Sequence, residues 1–289
     1  MRMRVFAGAA LASAAAAGAT ALAVSAAGPA PNVLQGEPGI PVAGGMHVVT
    51  VAGPAPATTR VWLVRDRDGK TVRARVLQRK LGVPAITFTG LAEGTWAQGR
   101  RLLLASSIYD DQTRTTFVVL DTRTLRPLRT IRLSGAFAFD ALSPSGRRLY
   151  LLQYPRGVDG GIRYVVRSLN MRTGRLEPGA IVDNTQPDEQ MAGIALNRAW
   201  STNRTWAYTL YSSGEAHAFV HALNTRTRTA RCIDLPWAGA KQAIHDTVRM
   251  SVTGAGAHTL RVPGGDVLAS IDTRSFAVTL PNGRSAPAS

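Results

Sequence analysis

The chain has 289 residues, 34 Lys+Arg against 18 Asp+Glu for a net charge of +16, one Cys and 45% hydrophobic residues. That is long and apolar enough to bury a core in one large or two ordinary domains, which excludes a disordered basic tail. A single cysteine excludes both a disulfide framework and a cysteine-based zinc module.

At the N-terminus, Arg2 and Arg4 precede an uncharged run from Val5 to Ala27 that is mostly Ala and Gly. This charge asymmetry, closing on the small residues Val24-Ser25-Ala26-Ala27, predicts an export signal over residues 1–26. At 23 residues the run is also long enough to span a bilayer, so an uncleaved N-terminal membrane anchor is the alternative. No Cys follows the run, which excludes a lipid-anchored lipoprotein. Removing residues 1–26 takes two arginines and no acid, leaving 263 residues and a charge of +14. Residues 27–45, with Pro29, Pro31, Pro38 and Pro41 among glycines, predict a tether into one domain over 46–284, and 285–289 a frayed tail.

Within that domain a turn recurs: Asp121-Thr122-Arg123-Thr124, Asn170-Met171-Arg172-Thr173, Asn224-Thr225-Arg226-Thr227 and Asp272-Thr273-Arg274-Ser275, spaced by 49, 54 and 48 residues. A looser copy, Asp66-Arg67-Asp68-Gly69, lies 55 residues before the first. Each turn follows an alternating or β-branched run such as Thr116–Leu120 and precedes another, such as Pro127–Leu133. The Asp or Asn has a local use, since its side chain can accept from backbone N–H groups further along and close a hairpin. A second signature lies upstream, clearest at Ser143-Pro144-Ser145-Gly146-Arg147-Arg148-Leu149-Tyr150, where Pro presets one turn dihedral and Gly takes the position other residues resist. Each unit therefore reads as four short strands, a to d, which in the third unit are Phe137–Leu142, Leu149–Tyr154, Ile162–Asn170 and Leu176–Val182. No segment after residue 28 holds a helical period of useful length.

Four-stranded units of about 50 residues that cannot bury both faces alone describe an all-β chain folded as a β-propeller. The length allows five blades, or six if the N-terminal region is compressed. The Ser-Pro-x-Gly-Arg-x-Leu-Tyr turn and the strand ending in Asp-Thr-x-Thr resemble the quinoprotein-like and YncE-type propeller repeats, a superfamily that includes TolB-like and lactonase-like propellers. Ser145 stands where that repeat usually has Asp.

Antiparallel strands place the b–c and d–a loops on one face and the a–b and c–d turns on the other. The loop face collects Tyr109, Asp110, Asp111, Tyr154, Arg156, Asp159, Asp188, Glu189, Trp237, His245 and Asp246, and is the expected ligand face. The turn face collects Arg123, Arg126, Arg147, Arg148, Arg172, Arg175, Arg226 and Arg228, together with Arg198 and Arg204, and is expected to be strongly basic. His217 and His221 fall on one strand face without a third ligand in view, and Cys232 reads as a buried small hydrophobe.

Hydrolase elbows, phosphate-cradling loops and metal helices are missing, so the sequence assigns neither a catalytic residue nor a metal site. The expected function is an exported, monomeric binding scaffold, secreted or held in the cell envelope, whose partner is an envelope protein, a small ligand or an anionic envelope polymer. Nucleic acid is disfavoured because few aromatics interleave with the arginines. The alternative is a propeller hydrolase or lactonase using a divalent cation such as calcium, held by carboxylates of the loop face.

Overall fold

The computed structural model describes residues 32–87, 90–155, 163–186, 191–212, 218–235, 249–253, 257–261 and 267–283. Among them there is no helix, and consecutive strands form five four-stranded antiparallel sheets, the blades of a propeller-like array. Blade 1 comprises β2 (Ile40–Val42), β3 (Met46–Ala52), β4 (Thr59–Arg65) and β5 (Thr71–Leu77). Blade 2 comprises β7 (Thr95–Trp96), β8 (Arg101–Ala105), β9 (Arg114–Asp121) and β10 (Pro127–Ser134). Blade 3 comprises β11 (Ala136–Leu142), β12 (Arg148–Tyr154), β13 (Val165–Asn170) and β14 (Arg175–Leu176), each within three residues of its expected start. Blade 4 is β15 (Ile194–Trp200), β16 (Trp206–Ser212), β17 (Ala218–Asn224) and β18 (Thr229–Leu235). Blade 5 is β19 (Arg249–Thr253), β20 (Ala257–Arg261), β21 (Val267–Ile271) and β22 (Val278–Thr279).

The period of two along each strand explains why blades stack. In β9, Phe117 and Val119 pack toward blade 3 while Val118 and Leu120 pack toward blade 1. In β12, Leu149 and Leu151 join the first of these cores and Tyr150 and Leu152 the core shared with blade 4. A sheet with both faces apolar cannot stand alone in water, so each blade completes its neighbour. The outermost strands β5 and β10 are largely exposed and carry arginines, which discourage further pairing at those edges.

The segment expected as a tether is built into the fold where it is described. Beside β2, β1 (Val33–Leu34) pairs with β6 (Val83–Pro84), and Thr50 Oγ1 and Gln35 Nε2 donate to Leu34 O at 3.0 Å and Leu81 O at 2.8 Å. Pro41 is accommodated because β2 is an edge strand, pairing only with β3, where a missing N–H costs no ladder bond. The inner strand of blade 2 is in two pieces: both Gly82 and Gly94 bond to β8, and the chain between them leaves and returns through an Ala85–Ala92 bridge.

The recurring turns do the local work expected of them. Asp121 Oδ1 accepts from Thr124 N and Oγ1, Asn170 and Asn224 accept from the backbone N–H groups two and three residues on, and Asp272 repeats the pattern. In the looser first copy the capping residue is Asp68, which accepts from Lys70 N, while Asp66 pairs with His47. In the a–b turn of blade 3, Gly146 has φ +65° and a Cβ there would lie 2.2 Å from Trp96 Cδ1. Gly146→Ala is therefore expected to cost about 2–4 kcal/mol, from left-handed strain plus displacement of the indole. Urea denaturation measures this, and a loss below about 0.5 kcal/mol would contradict the packing described.

Candidate binding face

Two cavities open among the a–b and c–d turns. The central one, about 660 Å³, is ringed by the a–b turns of blades 2, 3 and 4, with Ile40 and Pro41 of β2 completing its wall. Glu93, Trp96, Trp200 and Arg204 line it, and the Arg204 guanidinium lies over the Trp200 ring at 4.5 Å. Trp200 Nε1 donates to Glu93 Oε1 at 2.7 Å.

Behind that wall lies a buried ionic network. Arg198 of β15 donates to Asp140 Oδ1 and to the Asp140 carbonyl on β11, and to Thr209 Oγ1 on β16 at 2.7 and 2.9 Å. Glu93 Oε2 is 3.8 Å from the same guanidinium. The Arg198 side chain has 0% exposure, so its expected place on the basic surface is corrected: it points inward, toward the carboxylates of two other blades. Burial pulls its pKa down, but Asp140 and Glu93 outweigh that and hold the guanidinium charged.

The second cavity, about 670 Å³, is a cleft between blades 3 and 4. Arg147 and Arg148 come from the a–b turn of blade 3, Arg172 from its c–d turn and Arg226 from the c–d turn of blade 4. One carboxylate stands nearby: Glu177 accepts from Ser168 Oγ at 2.7 Å and pairs with Arg148 at 3.1 Å and Arg228 at 3.3 Å. Burial works against its charge, yet Ser168 and Arg148 hold it below the ordinary carboxylate range. Arg147, Arg172 and Arg226 are exposed and make no side-chain ion pair or hydrogen bond among the described residues. The structure thus brings four of the expected basic residues together and places Arg228 beside them; Arg123, Arg126 and Arg175 are outside the cleft lining.

On the loop face, Tyr109, Asp110 and Asp111 lie between β8 and β9. Asp110 pairs with Lys80 at 2.6 Å, and Asp111 accepts from Thr113 Oγ1 and N at 2.7 and 2.8 Å, which lowers its pKa. Tyr154, at the end of β12, packs edge-on to Tyr164 at 6.0 Å, and burial raises the pKa of Tyr109 and Tyr154 alike. Arg156, Asp159, Asp188, Glu189, Trp237, His245 and Asp246 lie outside the described residues, as does His217. Among the described residues no group of three or more His, Cys, Asp or Glu is placed to hold a metal ion. Cys232 is buried, with Sγ 3.5 Å from Met191 Sδ.

The residues that sequence reasoning missed are Glu93, Asp140 and Trp200. Of these, Asp140 had a signal, a lone charge inside the apolar strand Ala136–Leu142, matched by Arg198 within Ile194–Trp200.

No protein-family model matches the sequence, and no curated protein matches it. Solved structures resemble it at low identity. A prolyl endopeptidase structure shares 10% identity over 82% of this chain and 35% of its own, with a TM-score of 0.44. TolB from Acinetobacter baumannii shares 15% over 82% and 57%, at 0.38. A candidate 6-phosphogluconolactonase from Bacteroides uniformis shares 12% over 84% and 69%, at 0.47. The chain therefore spans only 35% and 57% of the lengths of the first two.

Proposed function

We propose that the chain is an exported β-propeller that acts as a binding scaffold in the cell envelope or outside the cell, and that its ligand-bearing surface is the turn face. The observation that carries this reading is that two cavities among the described residues, the central one and the inter-blade cleft, open among the a–b and c–d turns. On the opposite face, the described carboxylates Asp110 and Asp111 are engaged by Lys80 and Thr113. The basic N-terminus and the uncharged run behind it support export. An anionic envelope polymer fits the turn face by charge, each exposed arginine adding a weak, salt-screened contact.

The full chain is expected to be retained on a phosphocellulose matrix at low ionic strength and to elute as salt rises. Retention unchanged in high salt would contradict the electrostatic reading. The hydrolase alternative is separated by thermal denaturation with excess calcium and with EDTA. Midpoints agreeing within about 1 °C are expected, because a ligand that does not bind the folded state does not shift it. A calcium-dependent rise of several degrees would instead support a carboxylate metal site and a catalytic role.

A further inference from the structure

The geometry points to the cleft between blades 3 and 4 as the seat of a linear phosphate polymer, with Arg147, Arg172 and Arg226 as its contact residues. This rests on the turn face being the ligand-bearing one and names the ligand class of one of its cavities.

The cleft is a prepared site, because its arginine-bearing turns are fixed by bonds that leave their guanidinia unused. Arg129 Nη1 donates to the carbonyls of Met171 and Arg172 at 2.7 and 2.6 Å, clamping the blade 3 turn from blade 2. Arg148 Nη1 donates to Arg226 O at 3.1 Å and Tyr150 Oη to Thr225 O at 2.8 Å, clamping the blade 4 turn from blade 3. Asn170 and Asn224 cap the same turns from within. The backbones are thus ordered before any ligand arrives, which removes that cost from binding. Glu177 already serves Arg148 and Arg228, so among the described residues the charge of the other three is uncompensated locally.

Three guanidinia from three turns suit a chain carrying an oxyanion at every unit, since each planar fork can take two oxygens of a different phosphate. A membrane surface fits less well: none of the exposed large hydrophobics, Val72, Val76, Leu91, Tyr109, Leu128 and Ile194, lines the cleft. Nucleic acid fits less well too, because no aromatic among the described residues lines it for bases to stack on.

The test is titration of the full chain with inorganic polyphosphate at low salt, repeated across salt concentrations. The triple variant Arg147→Gln, Arg172→Gln, Arg226→Gln is expected to bind at least about tenfold more weakly, with a log K against log salt slope shallower by about two. A charge-matched control, Arg123→Gln, Arg126→Gln, Arg274→Gln, is expected to lose less than about threefold, and the single Arg172→Glu about fivefold or more. Equal losses in the two triple variants would overturn the cleft while leaving the turn-face reading intact, since net charge alone would then account for retention. Inorganic phosphate binding as tightly per phosphate would overturn the polymer assignment. Preference for oligothymidine, or for vesicles of anionic lipid, would replace it with a nucleic acid or a membrane.

Discussion

Replacing Arg198 by alanine is expected to destabilise the fold by about 3–5 kcal/mol, lowering the thermal midpoint by about 10 °C for a domain of this size. The exchange strands Asp140, a carboxylate 1% exposed whose Oδ2 already has no partner among the described residues. A β-bulge between Phe139 and Ala141 sets Asp140 out of the regular ladder, and its carboxylate meets the guanidinium from blade 4. Glu93 closes the group from the segment leading into β7 of blade 2, so one cation ties the inner strands of blades 3 and 4 to that segment beside the central cavity. Destabilisation on truncation does not mean the network adds stability over an apolar filling, because taking two charges out of water costs nearly as much as their attraction returns. The paired exchange Arg198→Met with Asp140→Leu is accordingly expected to recover most of the loss. Chemical denaturation of both variants decides it: a cost below about 1 kcal/mol for Arg198→Ala would mean that Asp140 finds water or another partner.

The turns made the architecture readable and the interior did not. The Asp121, Asn170, Asn224 and Asp272 turns encode their own hairpins by side-chain capping, so their spacing carries over directly into blade boundaries. For the same reason the sequence alone places Arg147, Arg172 and Arg226 on one face, where they line the cleft together. Arg198 could not, because a charged residue near a turn and one in mid-strand look alike until the register is known, and a single-residue slip exchanges the two faces. The split inner strand of blade 2 left no periodic signal, since Gly82–Pro84 and Thr95–Trp96 are each too short to alternate. Residues 32–45 looked like a linker by composition, while their strand character comes from pairing: Leu34 on Val83, far along the chain, and Ile40 on Val48 across a short hairpin. Seven of the eleven expected loop-face residues lie outside the described residues, so what the structure adds about a site concerns the opposite face.

Between pH 7 and pH 5 the protein is expected to lose about 2 kcal/mol of stability through one residue, His221. It sits on β17 between Thr209 and Cys232, 1% exposed, with Nδ1 unbonded among the described residues and the Tyr211 ring 6.5 Å away. Burial drives its pKa down to about 4; Asp140 and Asp183 pull the other way and Arg198 adds to the depression. In the unfolded chain the imidazole titrates near 6.5. Below that value the unfolded state takes up a proton that the folded state refuses, so this contribution is complete above pH 6.5 and drains away as pH falls toward 4. The depressed carboxylates Asp121, Asp183 and Glu177 act the same way at lower pH, where their unfolded forms begin to protonate, which among these described groups leaves the window above about pH 5 to His221. His221→Leu removes the titrating group and keeps an apolar side chain in the blade 4 core, so its urea denaturation free energy is expected to fall by about 2 kcal/mol less than the parent's over the same interval. Parallel pH profiles for parent and variant would show that His221 is protonated or solvated in the folded chain, and would argue against the tight packing of Tyr211, Phe219 and Cys232 around that strand.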